Sequence, residues 1–295
     1  MSRIDAILAK IGGIQPLPNT VLRLVMVVND PSSTVNDIVE VIKYDQAVTG
    51  QILRICNSAY FGLSREVRSL NEAIRYLGMI KVLQLVMAVH TNALLSTRQP
   101  GYELAPGMLW KHSVAVALAA SAFAERMALD KHVSTAFTAG LLHDVGKVVL
   151  SEHVAADFAK IMDLVANDKV SFIEAEQAVL GISHCEVGTK VARTWQLPEQ
   201  ITQSIQFHHS PNEVDPPDPV LDAVYLGNTV CLMMGVGLGT DGLSYRADAA
   251  VVERHGLTES DLEFIGAQMM VDLKHVEQSF GDAADVKAGE TSGVR

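Results

Sequence analysis

Apolar and polar positions along the chain show almost none of the alternation that is typical of a half-buried β-strand. Signals for helix starts recur instead. Four segments carry a capping box or a close relative of it, in which Ser or Thr precedes an acidic residue by three positions. They begin at Ser69, Ser171, Ser183 and Thr258. The pattern predicts an all-α, multi-helical fold.

Proline and glycine mark the breaks between the predicted helices. Gly78 and Gly146 fall where helices could end in a left-handed residue. Segments typical of connections are 96–107, 215–219 and 235–244. We expect two helical parts, which could pack as one body, and a small, polar, flexible tail. Their predicted bounds are 1–99, 107–280 and 281–295.

Composition supports the helical prediction and limits the kinds of partner that the protein is expected to bind. Hydrophobic residues make up 48% of the 295 residues and aromatic residues 5%, a balance that favours helix-on-helix packing over a β-sandwich. The net charge of −11 opposes nonspecific binding to nucleic acid or anionic lipid, because neutralising phosphates requires clustered Lys and Arg. A small phosphorylated ligand held locally by metal stays compatible with this charge.

The spacing of the cysteines and the length of the apolar runs indicate the cellular compartment in which the protein is expected. Cys56, Cys185 and Cys231 lie far apart and form no CxxC pair, so we expect buried free thiols in a reducing cytoplasm. No uncharged apolar run reaches the roughly 20 residues that span a bilayer. The first residues also lack the pattern of a secretory signal. These features predict a cytoplasmic protein without a membrane segment.

Candidate chemistry concentrates in the second half of the chain, around an adjacent His-Asp pair. Neutral imidazoles and a carboxylate are suitable ligands for Zn, Fe, Mn, Co or Ni. Ligands from separate helices of a bundle can converge on one interior point. The sequence therefore predicts a site for one or two divalent ions. The candidate ligands, in chain order, are His112, His143, Asp144, His184, His208, His209 and Asn228.

The His143-Asp144 pair needs a helix end to work as a metal clamp. Neighbouring positions on a helix point about 100° apart, so the two side chains cannot form one flat clamp within it. At a helix end they can approach a metal from different sides. We expect Gly146 to let the chain turn sharply there. Lys147 could neutralise the helix C-terminus or meet a substrate phosphate.

These residues carry a family resemblance. The segment 141–147, Leu-Leu-His-Asp-Val-Gly-Lys, resembles the signature of HD-superfamily metal-dependent phosphohydrolases, and the order of the candidate ligands is similar to that of the HD-GYP branch. The first half of the chain resembles HDOD-domain proteins. Its matching segments are 14–18, 29–31, 44–46, 53–62 and 69–78. On this resemblance, which covers about residues 10–235, the chain is identified as a member of the HDOD family.

The resemblance implies a bacterial signalling or regulatory protein with an N-terminal helical part packed on an HD-type helical bundle. The chain departs from the related patterns in two places. The HD-GYP loop after His209 is absent, which counts against cyclic-dinucleotide hydrolysis. The final aspartate of the HD superfamily is Asn228, whose carbonyl oxygen can ligate weakly but carries no charge. We expect the ion near His112 and Asn228 to be the weaker of two.

Loss of that carboxylate changes the charge of the predicted site. Two divalent ions would face one protein carboxylate, Asp144, which leaves three positive charges before any anion binds. Because buried net charge is costly, the pocket should capture hydroxide, phosphate or another anion. A single ion beside His184, His208 and His209 is the alternative.

Three functional interpretations stay open. The first is a signalling protein that retains metal and binds a protein partner or a metabolite. The second is a metal-dependent phosphohydrolase acting on a nucleotide or phosphodiester. In that case the metals would activate water, Asp144 would hold them, and Lys147 would stabilise the developing charge. The third treats the histidines as hydrogen-bonding core residues. An exposed face of the apolar stretch 79–95 could also support a homodimer.

Overall fold

The computed structural model describes residues 3–14, 16–30, 32–57, 65–237, 239 and 248–290, with side chains as far as residue 278. Over these residues the chain is all-α, as predicted, and it has no strand beyond an isolated bridge between Gln99 and Leu104. Some predicted features lie outside the described residues. They are positions 15, 31 and 58–62 of the resembling segments, and positions 238 and 240–244 of the last predicted connection.

Six α-helices lie among the described residues before position 96. They are α1 (Arg3–Ile11), α2 (Asn19–Asn29), α3 (Val35–Ile42), α4 (Gln46–Cys56), α5 (Leu70–Leu77) and α6 (Met79–Leu95). The predicted start at Ser69 is confirmed, because its side chain accepts a hydrogen bond from the Glu72 backbone N–H at 3.2 Å. Gly78 separates α5 from α6 with a φ of 78°, a conformation that glycine adopts without a steric penalty.

In the described part of the chain, ten α-helices follow a connection that includes a 3₁₀ turn at Pro100–Tyr102. They are α7 (Met108–Arg126), α8 (Val133–Leu142), α9 (Val145–Ala156), α10 (Phe158–Asp163), α11 (Phe172–Leu180), α12 (His184–Thr194), α13 (Glu199–Phe207), α14 (Pro219–Met233), α15 (Ala249–Arg254) and α16 (Glu259–Glu290). Complete capping boxes at Ser171 and Ser183 start α11 and α12. Reciprocal hydrogen bonds between Thr258 and Asp261 precede α16 in the same way.

The helix α7 is central, because most of its residues are buried and it packs against α8, α14 and α16. Small residues allow this close packing. A Cβ atom on Gly140 of α8 would lie 2.9 Å from the Ala117 Cα, and one on Gly227 of α14 would lie 2.9 Å from the Ala120 backbone nitrogen. This close packing holds together α7, which carries His112, α14, which carries Asn228, and α8, which ends immediately before His143.

A single cluster of buried apolar residues extends from Ile7 to Leu273. The connection between the two predicted parts belongs to it, because Tyr102 is fully buried and Gly101 packs closely against α9. The backbone of α16 continues through residues 281–290. The division at 1–99, 107–280 and 281–295 remains a prediction.

The length and apolar character of the described helices test whether any of them could span a membrane. No single helix among them is long and apolar enough to cross a bilayer. The pair α5 and α6 meets the length and composition criteria together, but its two helices are bent by 111° relative to each other.

Candidate metal centre

The His143-Asp144 pair forms the junction between α8 and α9, at a helix end as the clamp argument requires. His143 follows the last residue of α8, and Asp144 has φ −99° and ψ 13° immediately before α9 begins. Both side chains are buried, with exposures of 0% and 1%. The two side chains lie in the same interior region, with Nε2 of His143 3.2 Å from Oδ2 of Asp144.

Gly146 does not end a helix, so that expectation was wrong. It lies in the first turn of α9, where a Cβ atom would come within 1.9 Å of the His184 carbonyl oxygen and 2.6 Å of the Gly188 backbone nitrogen. Glycine is needed for the close approach of α9 to α12. That approach brings the Asp144 carboxylate next to His184. Lys147 likewise lies at the start of α9 and not at a helix C-terminus.

Four histidines surround the Asp144 carboxylate through their Nε2 atoms. The Oδ2 atom lies 3.2 Å from Nε2 of His143 and 3.8 Å from Nε2 of His112. The Oδ1 atom lies 3.6 Å from Nε2 of both His184 and His208. These residues come from four different parts of the helical bundle. The structure therefore brings the central members of the predicted set together around one carboxylate.

The opposite ring nitrogen of each histidine has an oxygen acceptor. Nδ1 of His112 lies 2.9 Å from the Val236 carbonyl oxygen. Nδ1 of His143 lies 2.7 Å from the Gly140 carbonyl oxygen. Nδ1 of His208 lies 2.9 Å from the Ile205 carbonyl oxygen. At His184 the acceptor is the Glu176 carboxylate, 2.7 Å away. An Nδ1–H that donates in this way leaves Nε2 as the lone-pair nitrogen. In the neutral form of the rings, the four Nε2 lone pairs converge on Asp144.

His209 and Asn228 complete the predicted set. Nε2 of His209 lies 3.2 Å from Nε2 of His184, and the ring is partly exposed. Asn228 is 2% exposed on α14, and its Oδ1 has no hydrogen-bond partner within the described residues. Buried Nε2 of His143 and Oδ1 of Asp144 also have none there. Buried polar atoms rarely stay unpaired unless an ion or water contacts them. The donor set thus fits a divalent cation.

Lys147 is 5% exposed, and its Nζ donates to Oδ2 of Asp144 at 2.6 Å. It also lies 5.3 Å from the centre of the Tyr102 ring. This position places a cation beside the carboxylate of the candidate site.

Sequence reasoning missed a buried carboxylate that positions His184. The Oε2 atom of Glu176 accepts hydrogen bonds from the His184 backbone N–H at 2.9 Å and from its Nδ1 at 2.7 Å. The Oε1 atom accepts one from the Tyr102 hydroxyl at 2.6 Å. Glu176 is fully buried. Such outer partners fix ring orientation and raise the basicity of a ligating histidine.

Cys185 was also missed as part of the site. Its Sγ lies 3.7 Å from Nδ1 and 3.9 Å from Nε2 of His208. Burial would raise the pKa of this thiol, but the neighbouring His184 and His208 lower it to about 7. Cys185 therefore differs from an ordinary buried thiol, whose pKa rises.

The ionisable groups of the pocket respond to burial and to Asp144 in different ways. Burial lowers the pKa of His143 to about 4, despite the nearby carboxylate. At His208, burial is outweighed by Cys185 and Asp144, which raise its pKa to about 9. Burial is likewise outweighed at Asp144, where His143 and Lys147 hold the pKa well below its ordinary value. The pocket thus holds an ionised Asp144 carboxylate, beside which protonation is favoured at His208 but not at His143.

A surface pocket of about 420 Å³ leads to His209. Among the described residues that line it are the carboxylates of Glu174, Glu186 and Glu213, and none of those lining residues is Lys or Arg. The pocket beside His209 is therefore acidic, and its carboxylates favour a cation over an anion there.

Comparison with known proteins agrees with this fold. The sequence profile of the HDOD domain matches residues 14–211, more than half of the chain, so the chain belongs to the HDOD domain family. A curated relative, an uncharacterized protein of Treponema pallidum, is 24% identical over 220 residues. The match covers 74% of this chain, which spans 42% of that relative's length.

Solved structures resemble the whole fold. An HDOD domain protein of Geobacter sulfurreducens with unknown function gives a TM-score of 0.71 at 26% identity, covering 94% of this chain and 97% of its own. A provisionally named signal transduction protein of Marinobacter aquaeolei gives a TM-score of 0.73 at 22% identity, covering 95% of this chain and 64% of its own. A provisionally named phosphohydrolase of Shewanella amazonensis gives a TM-score of 0.66 at 23% identity, covering 93% of this chain and 97% of its own. The last two likenesses show the fold alone.

Proposed function

We propose that this chain is an HDOD signalling or regulatory protein that retains a divalent transition-metal site. The observation that carries the proposal is the convergence of four histidine Nε2 atoms on Asp144 while each Nδ1 has an oxygen acceptor. Core histidines that serve only packing have no reason to share one carboxylate in this way. The proposed ligands are His112, His143, Asp144, His184, His208 and His209, with Asn228 as a weaker one.

The donor chemistry also limits the metal. Imidazole nitrogens suit Fe, Co, Ni and Zn, and a carboxylate adds Mn to that range. An ion held by these residues can act as a structural staple, as a sensor of metal, or as the binding point for a small anion. We propose that the protein works in the bacterial cytoplasm, through a signalling protein partner or such a small ligand.

Metal content of matched variants tests this proposal. Purified wild-type protein loaded with Zn²⁺ or Co²⁺ and then desalted should hold about one equivalent or more, as expected for a tightly bound ion. Asp144→Ala should lose most of it, because the shared carboxylate is removed. His153→Ala is the control, since His153 lies on the same helix away from the cluster. Wild-type protein with less than about 0.2 equivalents, or an Asp144→Ala variant that retains all its metal, would contradict the proposal.

A second candidate is a metal-dependent phosphohydrolase. Lys147 supports it, because its ammonium group lies beside Asp144, where it could stabilise charge on a transferred phosphoryl group. A bound ion would supply an activated water. The resemblance implies that HD-superfamily enzymes carry an aspartate where this chain has the uncharged Asn228, and we therefore rank this function second.

Turnover on a panel of nucleotides and phosphodiesters distinguishes the two functions. A hydrolase should lose activity in both His143→Ala and Asp144→Ala. If residual turnover is the same in both variants as in the wild type, it comes from a contaminant and the hydrolase function fails. The signalling proposal predicts no turnover above the variants while metal binding is intact.

A further inference from the structure

Cys185 lies in a cluster of four residues that offer metal-ligating atoms. One ligating atom each from His184, Cys185, His208 and His209 lies within 4.8 Å of the other three. Cys185 is 2% exposed, on the first turn of α12 beside His184. The cluster thus adds a sulfur to the three histidines.

A separate observation indicates that this cluster faces a cation. The buried Oδ1 atom of Asp144 has no hydrogen-bond partner in the described part of the chain. It lies 3.6 Å from Nε2 of His184 and equally far from Nε2 of His208. A buried carboxylate oxygen without a donor, facing two imidazole nitrogens, is an arrangement that a bound cation would stabilise.

The spacing of the donors suits one ion. A tetrahedral Zn²⁺ with nitrogen ligands at about 2.0–2.1 Å and a sulfur ligand at about 2.3 Å places two nitrogens about 3.3 Å apart, and a nitrogen and a sulfur about 3.6 Å apart. Nε2 of His184 and Nε2 of His209 are 3.2 Å apart. Sγ of Cys185 and Nε2 of His208 are 3.9 Å apart. All four ligating atoms lie within 4.8 Å of one another, so any pair farther apart than about 3.6 Å would have to close on binding.

A thiolate at Cys185 would offset part of the positive charge of the bound ions. By the resemblance to the HD superfamily, Asn228 replaces a carboxylate, so Asp144 would be the only carboxylate ligand of two divalent ions. A thiolate supplies a second negative charge and reduces the excess from three to two. On binding, the S–H bond breaks, its proton leaves to solvent, and the sulfur lone pair forms the bond to the metal, with no change of oxidation state.

We propose that Cys185 is a thiolate ligand of the ion held by His184, His208 and His209, an inference that rests on the proposed metal site. A thiolate is a soft donor, whereas Mn²⁺ and Mg²⁺ prefer oxygen. The ligand set therefore selects Zn²⁺ or Co²⁺ over Mn²⁺ at this position.

Cobalt spectroscopy tests the assignment without requiring activity. Co²⁺ bound to the wild-type protein should show a thiolate-to-cobalt charge-transfer absorption in the near ultraviolet. A Cys56→Ala/Cys231→Ala variant, in which Cys185 is the remaining cysteine, should keep that absorption. Cys185→Ala should lose it and bind Co²⁺ at least about 10–100-fold more weakly, since a direct ligand contributes no less than an outer partner.

The possible outcomes separate this inference from the proposed function. Co²⁺ bound by the wild-type protein without the charge-transfer absorption overturns the thiolate ligand and leaves the metal site intact. The same absorption in Cys185→Ala also overturns it. Failure of the wild-type protein to bind Co²⁺ or Zn²⁺ overturns the metal site itself. If Cys185→Ala does not fold, the wild-type and double-variant spectra still decide the question.

Discussion

Replacing Glu176 with Gln tests whether the buried carboxylate behind His184 tunes the metal site. Glu176 is fully buried and makes three hydrogen bonds, two to His184 and one to Tyr102. Gln has nearly the same shape. Its carbonyl oxygen can keep both bonds from His184, and its amide group can donate to the Tyr102 oxygen after the hydroxyl rotates. The substitution therefore removes the charge and leaves the geometry.

The expected effect falls on metal affinity. Hydrogen bonds to a charged acceptor are about twice as strong as neutral ones, and the charge also makes His184 a better ligand. Loss of such an outer partner weakens metal binding about 10–100-fold, which corresponds to about 1.4–2.7 kcal/mol. We expect Glu176→Gln to raise the dissociation constant for Zn²⁺ by that factor.

Competition with a chromogenic chelator measures the dissociation constant, and circular dichroism checks that the variant is folded. Tyr102→Phe is the control, because it removes one donor to Glu176 and leaves both bonds to His184. It should weaken Zn²⁺ binding by a few-fold at most, as loss of one outer hydrogen bond of about 1 kcal/mol implies. Equal affinity of Glu176→Gln and wild type would refute the reasoning, as would an equally large effect of Tyr102→Phe.

Three further predictions concern packing, charge and the thiols. In Gly146→Ala, the new Cβ would come within 1.9 Å of a carbonyl oxygen on the neighbouring helix. This variant should lower the free energy of unfolding, measured by urea titration, by about 1–3 kcal/mol or more. Gly50→Ala is the control, because a Cβ there meets open space, and its free energy of unfolding should be unchanged or higher. Asn228→Asp adds a negative charge and should increase bound metal measured by elemental analysis; unchanged content would show that this side chain is no ligand. Burial raises the pKa of Cys56 to about 11 and that of Cys231 still further, so at pH 8 only about 1 in 1,000 Cys56 thiols is ionised. Both should resist alkylation until the protein is unfolded, and rapid labelling of either in the native state would contradict this.

The fold class could be predicted from the sequence because its signals are local. The capping patterns at Ser171 and Ser183 each satisfy backbone donors within a few residues, and both start helices in the structure. The order of the histidines predicted the site residues that the structure brings together around Asp144. Order along the chain does not give distances, and packing was needed to show which nitrogen of each ring faces the carboxylate.

The residues that were missed depend on tertiary contacts. Glu176 had a weak signal, because the spacing of Phe172, Ala175, Glu176 and Leu180 puts this carboxylate on the buried face of α11. Its contact with His184 requires two helices to meet. Cys185 neighbours a predicted ligand, but adjacent positions on a helix point about 100° apart, so the sequence could not show that both face the pocket.

The same reason explains the wrong expectation for Gly146. Glycine is typical both of helix ends and of close helix contacts, and the sequence around it does not distinguish them. The distance of 1.9 Å between its hypothetical Cβ and the His184 carbonyl oxygen shows that the second role applies.

Anomalous X-ray diffraction from crystals of the metal-loaded protein tests the central claim most directly. Data collected at the absorption edge of bound Zn²⁺ or Co²⁺ locate the ion independently of any assumed ligand. The account predicts a peak about 2.0–2.2 Å from a carboxylate oxygen of Asp144 and from Nε2 atoms of the surrounding histidines. A fully loaded protein with no peak in this pocket, or with its peak elsewhere, would contradict the account.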